Sequence, residues 1–221
     1  ASGHLPKFEE DLFKTTDEKY LISTSEMSMI NLYRDEILQE KQLPIRLCSY
    51  SQCFRSEAGS GGKDVTGLLR QHQFSKIELV SIVHPEKSKE EHERILSCAE
   101  KILQELDLHY RVILLCSKDT GFCAAKTYDI EVWLPGQNKY REICSCSNTN
   151  DFQSKRAMIR YKNLITGKNE NPHILNSSAL AIGRTIIAIL EQYQLENGDS
   201  PTRDSRPHDC RIAAVRHEKN C

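Results

Sequence analysis

The chain has 221 residues, of which 38% are hydrophobic, 28% charged and 7% aromatic, a composition that can bury a core and excludes a disordered tail. Thirty Lys and Arg residues against 31 Asp and Glu residues give a net charge of -1, which excludes the strongly basic surface of a nucleic-acid coat protein but permits a local basic site. No run approaches the roughly 20 apolar residues of a membrane-spanning helix, and no signal segment opens the chain, so we expect a soluble, cytoplasmic protein without a membrane partner.

The nine cysteines do not form a pattern typical of disulfides or of structural zinc. Their number is odd, the chain is long, and reduced thiols fit these features better than a disulfide framework. The closest pair, Cys144 and Cys146, lacks the C-x-x-C spacing of zinc sites. We therefore expect mostly small buried thiols. The alternative, a thiol or zinc protein, predicts tightly held metal in stoichiometric amount.

The first half of the chain is predicted to contain three strands and two helices. Residues 20–23 are predicted as a short strand, and the apolar spacing after them predicts a helix that runs to about residue 38. Two longer strands, 46–55 and 69–83, flank a glycine-rich loop and form a predicted hairpin with an oversized connection. The sequence SKEE that begins at Ser88 is predicted to be a capping box, and it opens an amphipathic helix.

The second half continues in the same style, and its predicted elements are strands at 110–115, 128–134, 139–146 and 173–176, with an apolar helix at 179–194. Hairpin-like strands with helices between and after them indicate an α+β fold, a largely antiparallel sheet with helices on one face. Residues 199–221 are polar and show no periodicity, so we expect an irregular C-terminal tail.

The predicted hairpin contains the first group of candidate functional residues. Arg55 and Arg70 lie at its two ends, and an antiparallel pairing brings their guanidinium groups together, where they need an anion. Side chains alternate along a strand, so five residues share one face: Arg70, His72, Phe74, Lys76 and Glu78. This set could hold a phosphate, a base and an ammonium group. The alternative, which parity by itself favours, is the charged outer face of a surface strand.

Arg184 is the second such place, because it lies on a helix that is apolar nearly all round. A buried charge must be paired, and its partner could be Glu142 or the phosphate of a ligand. Ser177 and Ser178 precede the predicted helix and could cap it or contact a ligand.

Five stretches of the sequence resemble motifs of one known family. They are CFRSEAGS at residues 53–60, GLLRQHQF at 67–74, KTYDIEVW at 126–133, YREICSCSN at 140–148 and LAIGRT at 180–185. The first two resemble motif 2, and the last resembles motif 3, of the class II aminoacyl-tRNA synthetases. Together the five stretches resemble the bacterial-type seryl-tRNA synthetase family.

The resemblance extends over about residues 5–194 and implies a class II catalytic core at residues 1–198. Motif 1 and the N-terminal coiled-coil arm of the family are not in this sequence. The implied fold is an antiparallel β-sheet flanked by helices. The implied activity is that of a serine--tRNA ligase, which activates L-serine with ATP to seryl-adenylate and transfers the seryl group to tRNA(Ser). ATP and Mg²⁺ are the implied cofactors, and the family forms homodimers. The alternative is a catalytically silent fragment that binds nucleotide and serine.

Site residues follow from the resemblance by position. Arg55 and Arg184 are the implied catalytic residues, which hold the α-phosphate and the γ-phosphate, while Phe74 stacks on adenine. The implied ATP-binding set is Arg55, Ser56, Glu57, Arg70, Phe74, Glu142, Ile143, Cys144, Ser145 and Arg184. The implied serine-binding set is Thr24, Ser25, Glu26, Glu78 and Ser178. Glu142 and Ser145 are the implied ligands of Mg²⁺.

One departure from the family falls inside the implied serine pocket. The family has a glycine on each side of Ser178, whereas this chain has Ser177 and Ala179. Glycine permits the closest approach of backbone to a ligand, so the added Cβ atoms could crowd the pocket.

Overall fold

The computed structural model describes Leu5, residues 9–57 and 68–195, Gly198 and the backbone of residues 215–218. Its helices and strands are, in chain order, α1 (Glu26–Asn31), β1 (Ile37–Gln39), β2 (Ile45–Phe54), β3 (Gln73–Val83), α2 (Ser88–Glu105), β4 (Tyr110–Leu114), β5 (Lys126–Leu134), β6 (Lys139–Asn148), α3 (Phe152–Ala157), β7 (Arg160–Lys162), β8 (Asn169–Glu170), β9 (His173–Ala181), α4 (Ile182–Tyr193) and β10 (Val215–Glu218). Among the described residues, none of the helices has the length and apolarity required to cross a membrane.

A seven-stranded sheet in the order β10-β4-β5-β6-β9-β3-β2 forms the framework, and β1, β7 and β8 form a second, small sheet. In the large sheet all neighbours are antiparallel except β10, which lies parallel to β4. The predicted hairpin of β2 and β3 is confirmed by ten residue pairs, from Ile45 with Ile82 to Phe54 with Gln73. The α+β fold with a largely antiparallel sheet flanked by helices is therefore confirmed.

Both faces of the large sheet are covered. On β3, Leu79 and Val83 belong to the apolar cluster that contains α2, whereas Val80 and Ile82 pack in a second cluster with α1 and the small sheet. Alternate residues of a strand point to opposite faces. The prediction of helices on one face alone is wrong, because β3 is apolar on both of its faces and each face needs cover.

The segment before β2 differs most from the prediction. In place of a strand at residues 20–23, Tyr20 makes a single bridge with Lys14. The helix predicted to reach residue 38 ends at Asn31, and Ile37 pairs with Arg160 in the small sheet. Pairing with a distant strand has overridden a local apolar spacing that is compatible with a helix.

The boundary between β9 and α4 is also shifted. The strand predicted to end at residue 176 continues to Ala181, because it pairs with β3 as far as Ala181 opposite Lys76. Periodicity cannot separate a short apolar strand from a helix. As a result Ser177 and Ser178 lie within the strand, and neither caps α4, which begins after Ala181 without a side-chain cap.

The tail predicted to be irregular contains a strand, and that part of the prediction is wrong. β10 lies alongside β4, from Val215 opposite Arg111 to Glu218 opposite Leu114. The other side of β4 is already paired with β5, so its free edge offers unpaired backbone groups to a further strand. The sequence VRHE shows no apolar alternation that would have predicted this pairing.

Glu91 connects α2 to the strands that carry the site. Its carboxylate accepts hydrogen bonds from Arg46 Nη2 and Ser81 Oγ, both at 2.8 Å, and from Arg94 Nη2 at 2.6 Å. Burial by itself raises the pKa of Glu91, but these donors outweigh burial and lower the pKa to about 2. The predicted capping box with Ser88 does not form, because Ser88 lies inside the helix and Glu91 is engaged with the sheet.

We expect Glu91→Gln to lower the free energy of unfolding by about 2 kcal/mol, because two arginines lose their carboxylate. Urea denaturation at pH 7 measures this change. The matched variant Glu90→Gln removes only an exposed ion pair with Lys87 and should change stability by less than about 0.5 kcal/mol.

Because the folded pKa of Glu91 is depressed, its contribution to stability is present above the ordinary pKa of 4.5 and is lost as the pH falls toward 2. Equal acid sensitivity in the wild type and in Glu91→Gln would contradict this account.

Candidate active site

A cavity of about 680 Å³ opens beside the sheet where β3, β6 and β9 meet the first turn of α4. Seven charged side chains line it, and they are Asp11, Arg55, Glu57, Arg70, Lys76, Glu142 and Arg184. Four cations and three carboxylates therefore face one space, together with the ring of Phe74. The composition suits a ligand that carries several anionic groups and an aromatic ring.

Arg55 follows β2 directly and continues its pairing with the other strand. Its backbone N–H donates to the carbonyl of His72 at 2.9 Å, and its Nε donates to the carbonyl of Ser23 at 3.4 Å. The guanidinium carbon lies 5.2 Å from the centre of the Phe74 ring. A cation above an aromatic face offers stacking and phosphate contacts at the same point. Arg55 and Phe74 therefore lie side by side at the cavity.

Glu57 and Arg70 face each other across the two ends of the hairpin. Arg70 Nη1 donates to Glu57 Oε2 at 2.5 Å, and Glu57 has a left-handed backbone with φ of 53°. Ser56 is turned outward, since its N–H and hydroxyl donate to the carbonyls of Asp11 and Glu10. The predicted glycine-rich loop, at residues 58–67, lies outside the described residues.

Arg184 reaches the cavity from the first turn of α4. Its Nη1 donates to the carbonyl of Glu142 at 2.6 Å and its Nε to the carbonyl of Leu69 at 3.3 Å. These partners are backbone dipoles, not carboxylates. Burial lowers the pKa of Arg184, as do the charges of Arg55 and Arg70, although the charges of Glu142 and Glu57 act against this shift. Such a guanidinium is prepared for an anionic ligand.

Gly183 leaves room for the side chain of Gln71 beside Arg184. A Cβ atom at residue 183 would lie 3.0 Å from Gln71 Oε1, so a larger residue would require that amide group to shift.

A β-bulge in β6 turns two residues toward the cavity. Cys144 pairs with Ile130 and Glu142 with Glu131, which leaves Ile143 without an opposite residue in β5. A bulge of this kind bends its strand and re-aims the side chains beside it. Glu142 and Ile143 line the cavity as a result.

The next two residues of β6 do not line the cavity. Cys144 is buried with its Sγ 3.3 Å from Ser177 Oγ, and burial raises the pKa of its thiol well above the ordinary value. Ser145 pairs with β5 and does not line the cavity. Neither Ser177 nor Ala179 lines the cavity, whereas Ser178 does. The added Cβ atoms at residues 177 and 179 therefore do not crowd the cavity.

A buried polar group adjoins the cavity, and we call it the Lys76 cluster: Lys76, Glu78, Thr24 and Ser178. Lys76 Nζ donates to Thr24 Oγ1 at 3.0 Å and to Ser178 Oγ at 3.2 Å, and it forms an ion pair with Glu78. The two charged side chains are 7% and 3% exposed. Parity had placed Lys76 on the correct face of β3, but it was absent from the implied binding sets.

Glu26 lies beside this cluster and is buried. Gln153 Nε2 donates to Glu26 Oε1 at 2.6 Å, and Asn176 Nδ2 donates to the same oxygen at 3.3 Å. Burial, with the charge of Glu78 added, raises the pKa of Glu26 to about 7. Sequence reasoning missed Gln153 because it comes from α3, 127 residues away, and no spacing signals such a contact.

Two buried hydroxyl groups lie in the same segment. Within the described residues, Ser23 Oγ and Ser25 Oγ have no hydrogen-bond partner. An unsatisfied buried hydroxyl costs about 1–3 kcal/mol, so a polar group supplied by a ligand fits this region. Ser23 lines the cavity, and Ser25 does not.

The structure thus brings most of the implied residues to one place, although their contacts with ligands stay predictions. Those that line the cavity are Arg55, Glu57, Arg70, Phe74, Glu142, Ile143, Ser178 and Arg184. Those in or beside the Lys76 cluster are Thr24, Glu26, Glu78 and Ser178. Those outside the lining and outside this cluster are Ser25, Ser56, Cys144 and Ser145.

The described residues contain no group of three or more His, Cys, Asp or Glu side chains that could hold a metal ion. Of the two implied Mg²⁺ ligands, only Glu142 lines the cavity. One carboxylate is nevertheless compatible with magnesium that arrives with phosphate groups, because the phosphates and water supply its other ligands.

These features define the class of protein. The family model of the tRNA synthetase class II core domain (G, H, P, S and T) matches residues 7–193, and the chain belongs to this family.

Individual relatives of the chain are named serine--tRNA ligases. The chain is 59% identical over 200 residues to the serine--tRNA ligase of Cellvibrio japonicus, which covers 90% of this chain and 47% of the relative. It is 61% identical over 199 residues to that of a Sulfurihydrogenibium species, with 90% and 48% covered. A crystal structure of seryl-tRNA synthetase from Pyrococcus horikoshii complexed with ATP matches with a TM-score of 0.86 and 45% identity, covering 89% of this chain and 44% of that chain. The chain spans about half the length of the curated relatives it matches.

The raised pKa of Glu26 predicts a pH dependence of stability. Between the ordinary pKa of 4.5 and about 7, the folded state holds a proton on Glu26 that the unfolded state has lost. Stability from this group is therefore full below pH 4.5 and is lost as the pH rises toward 7. We expect Glu26→Gln to abolish this loss, so that its stability relative to the wild type increases between pH 5 and 7.5. Urea denaturation across this range measures the difference, and a flat difference would contradict the raised pKa.

Proposed function

We propose that this chain is the catalytic core that activates L-serine with ATP to form seryl-adenylate, and that the whole protein transfers the seryl group to tRNA(Ser) in the cytoplasm. The observation that carries the proposal is the charge layout of one cavity. Three arginines and an aromatic ring line it, and the buried Lys76 cluster adjoins it, with Glu26 beside that cluster. The relatives that are named serine--tRNA ligases and the neighbour complexed with ATP support the same substrates.

The aromatic side of the cavity suits ATP. The Phe74 ring offers a face for adenine next to Arg55, and the guanidinium of Arg55 then lies at the α-phosphate. Arg184, whose partners are backbone carbonyls, has donors available for the γ-phosphate. Glu57, which is ion-paired with Arg70 in the cavity lining, can accept from the adenine amino group.

The acidic side suits the amino acid. Glu78 and Glu26 are buried carboxylates that favour an ammonium group, and Thr24 and Ser178 add hydroxyls. A pocket that hydrogen-bonds a substrate hydroxyl can reject the analogue without it by roughly 10⁴-fold. This supports discrimination of serine from alanine. Ser25, whose hydroxyl is buried without a partner among the described residues, stays in the proposed pocket segment.

The reaction requires position and charge more than proton transfer. The serine carboxylate attacks the α-phosphorus in line, a P–O bond forms, and pyrophosphate leaves with the electrons of the bond that breaks. Charge develops on the phosphoryl oxygens, where Arg55 and Arg184 stabilise it. When bound, Mg²⁺ would neutralise phosphate charge, and Glu142 is the lining carboxylate able to hold it, with Ser145 as the further proposed ligand.

The proposal for the whole protein includes two macromolecular partners that the family resemblance implies. One is tRNA(Ser), the acceptor of the seryl group. The other is a second copy of the protein in a homodimer.

Serine-dependent exchange of labelled pyrophosphate into ATP tests the proposed chemistry. We expect exchange in the wild type and a loss of about 10²-fold or more in Arg55→Ala, because one phosphate contact is removed. Arg156→Ala is the matched control, since Arg156 is exposed and contacts only the ring of Phe152 among the interactions described for it. It should exchange at the wild-type rate.

If no pyrophosphate exchange is detected, binding measurements distinguish a chain that binds its substrates without catalysis from one that does not bind them. Thermal stabilisation by L-serine and ATP without any pyrophosphate exchange would contradict the proposed catalysis and support the silent binding fragment. Exchange that is equal in the wild type and in Arg55→Ala would contradict the role of Arg55.

A further inference from the structure

The ammonium group of Lys76 contacts the same groups that the proposed function assigns to the ammonium group of L-serine. Its Nζ lies 3.0 Å from Thr24 Oγ1 and 3.2 Å from Ser178 Oγ, and it is ion-paired with Glu78. All three partners belong to the implied serine-binding set. A side chain of the protein thus makes the contacts that the substrate requires.

At Thr24 the hydrogen-bond capacity does not allow both ammonium groups to bind at once. Thr24 Oγ1 has two acceptor positions, and it already accepts from Lys76 Nζ at 3.0 Å and from the backbone N–H of Glu26 at 3.3 Å. Ser178 Oγ accepts from Lys76 and lies 3.5 Å from Glu78 Oε2, to which it donates. Two cations in one buried space also repel each other strongly. Lys76 must therefore leave before a substrate ammonium can bind.

The ammonium group of Lys76 has an alternative position in the cavity. Its side chain lines the cavity as well as the cluster, and its long, flexible stem carries a compact charge with three donors. In the proposed function the carboxylate of L-serine lies toward the α-phosphate, on the cavity side of the cluster. A shift of Nζ toward the cavity would replace its pair with Glu78 by a pair with that carboxylate.

We propose that Lys76 exchanges partners when the amino acid binds. The substrate ammonium takes over Glu78 and Thr24, and Lys76 takes the substrate carboxylate. Glu78 then has a cation beside it before and after binding, so no buried charge is left unpaired. This inference rests on the proposed function and deepens it, because it makes the pocket selective for zwitterions, that is, for α-amino acids. An amine without a carboxylate would displace Lys76 from Glu78 without bringing an anion to replace it.

Paired ligands and a charge-removing variant test the exchange. Ethanolamine has the ammonium and hydroxyl of serine but lacks the carboxylate. We expect the wild type to bind L-serine more tightly than ethanolamine. In Lys76→Met, where no cation competes for Glu78, ethanolamine should bind about tenfold more tightly than in the wild type, while L-serine should bind about tenfold more weakly. Isothermal titration measures both. Ethanolamine affinity that is unchanged or reduced in Lys76→Met would overturn the exchange.

Lys126→Met is the matched control, because Lys126 Nζ is also beside a glutamate, 3.7 Å from Glu93, but does not line the cavity. Both affinities should equal those of the wild type.

A structure of the wild type with L-serine bound tests the proposal independently of whether Lys76→Met folds. We expect Lys76 Nζ within hydrogen-bond distance of the ligand carboxylate and away from Glu78. Bound L-serine with Lys76 still paired to Glu78 would overturn the exchange but leave the proposed function intact. A wild type that does not bind L-serine would overturn both.

Discussion

The register of β3 between β2 and β9 determines where the charged groups of the site lie. On one side Phe74 is opposite Cys53, which brings Arg55 beside the Phe74 ring. On the other side Glu78 is opposite Ser178 of β9, and β9 ends directly before α4, the helix that carries Arg184. A slip of one residue would turn each β3 side chain to the opposite face. In its second half β3 packs on α1 with one face and on α2 with the other, and Ser81 donates to Glu91 of α2, so a slip would break this hydrogen bond as well as the packing.

The fold contains buried ionisable groups that lower its stability. Lys76, Glu78 and Glu26 are buried ionisable groups, and a buried ion pair adds little or nothing to stability compared with apolar residues of similar size. The raised pKa of Glu26 shows that its charged form is disfavoured in the folded state. The apolar clusters on both sides and the Glu91 network offset these costs. Groups that cost stability and serve no packing purpose are typical of a binding site.

Parts of this arrangement could be predicted from the sequence. Strand parity placed Phe74, Lys76 and Glu78 on one face, and the hairpin brought Arg55 and Arg70 to one end, because both rest on local geometry. The roles of these residues came from the family resemblance. The end of β9, the bulge at Ile143 and the contact of Gln153 with Glu26 could not be predicted. Each depends on pairing between residues that are far apart in sequence, for which no local pattern exists.

The net charge of -1 conceals the property that matters most for the proposed reaction. Arg55, Arg70 and Arg184 line the cavity with the Phe74 ring, and Lys76 joins this lining to the buried carboxylates Glu78 and Glu26, which lie outside it. In the proposed function the polyphosphate binds among the arginines and the substrate ammonium binds at the buried carboxylates, so the amino-acid carboxylate lies between them, next to the α-phosphate. Lys76 lies between these two groups of charges. A single cation there can neutralise Glu78 or an incoming carboxylate, and in the proposed exchange the bound amino acid determines which of the two it pairs with.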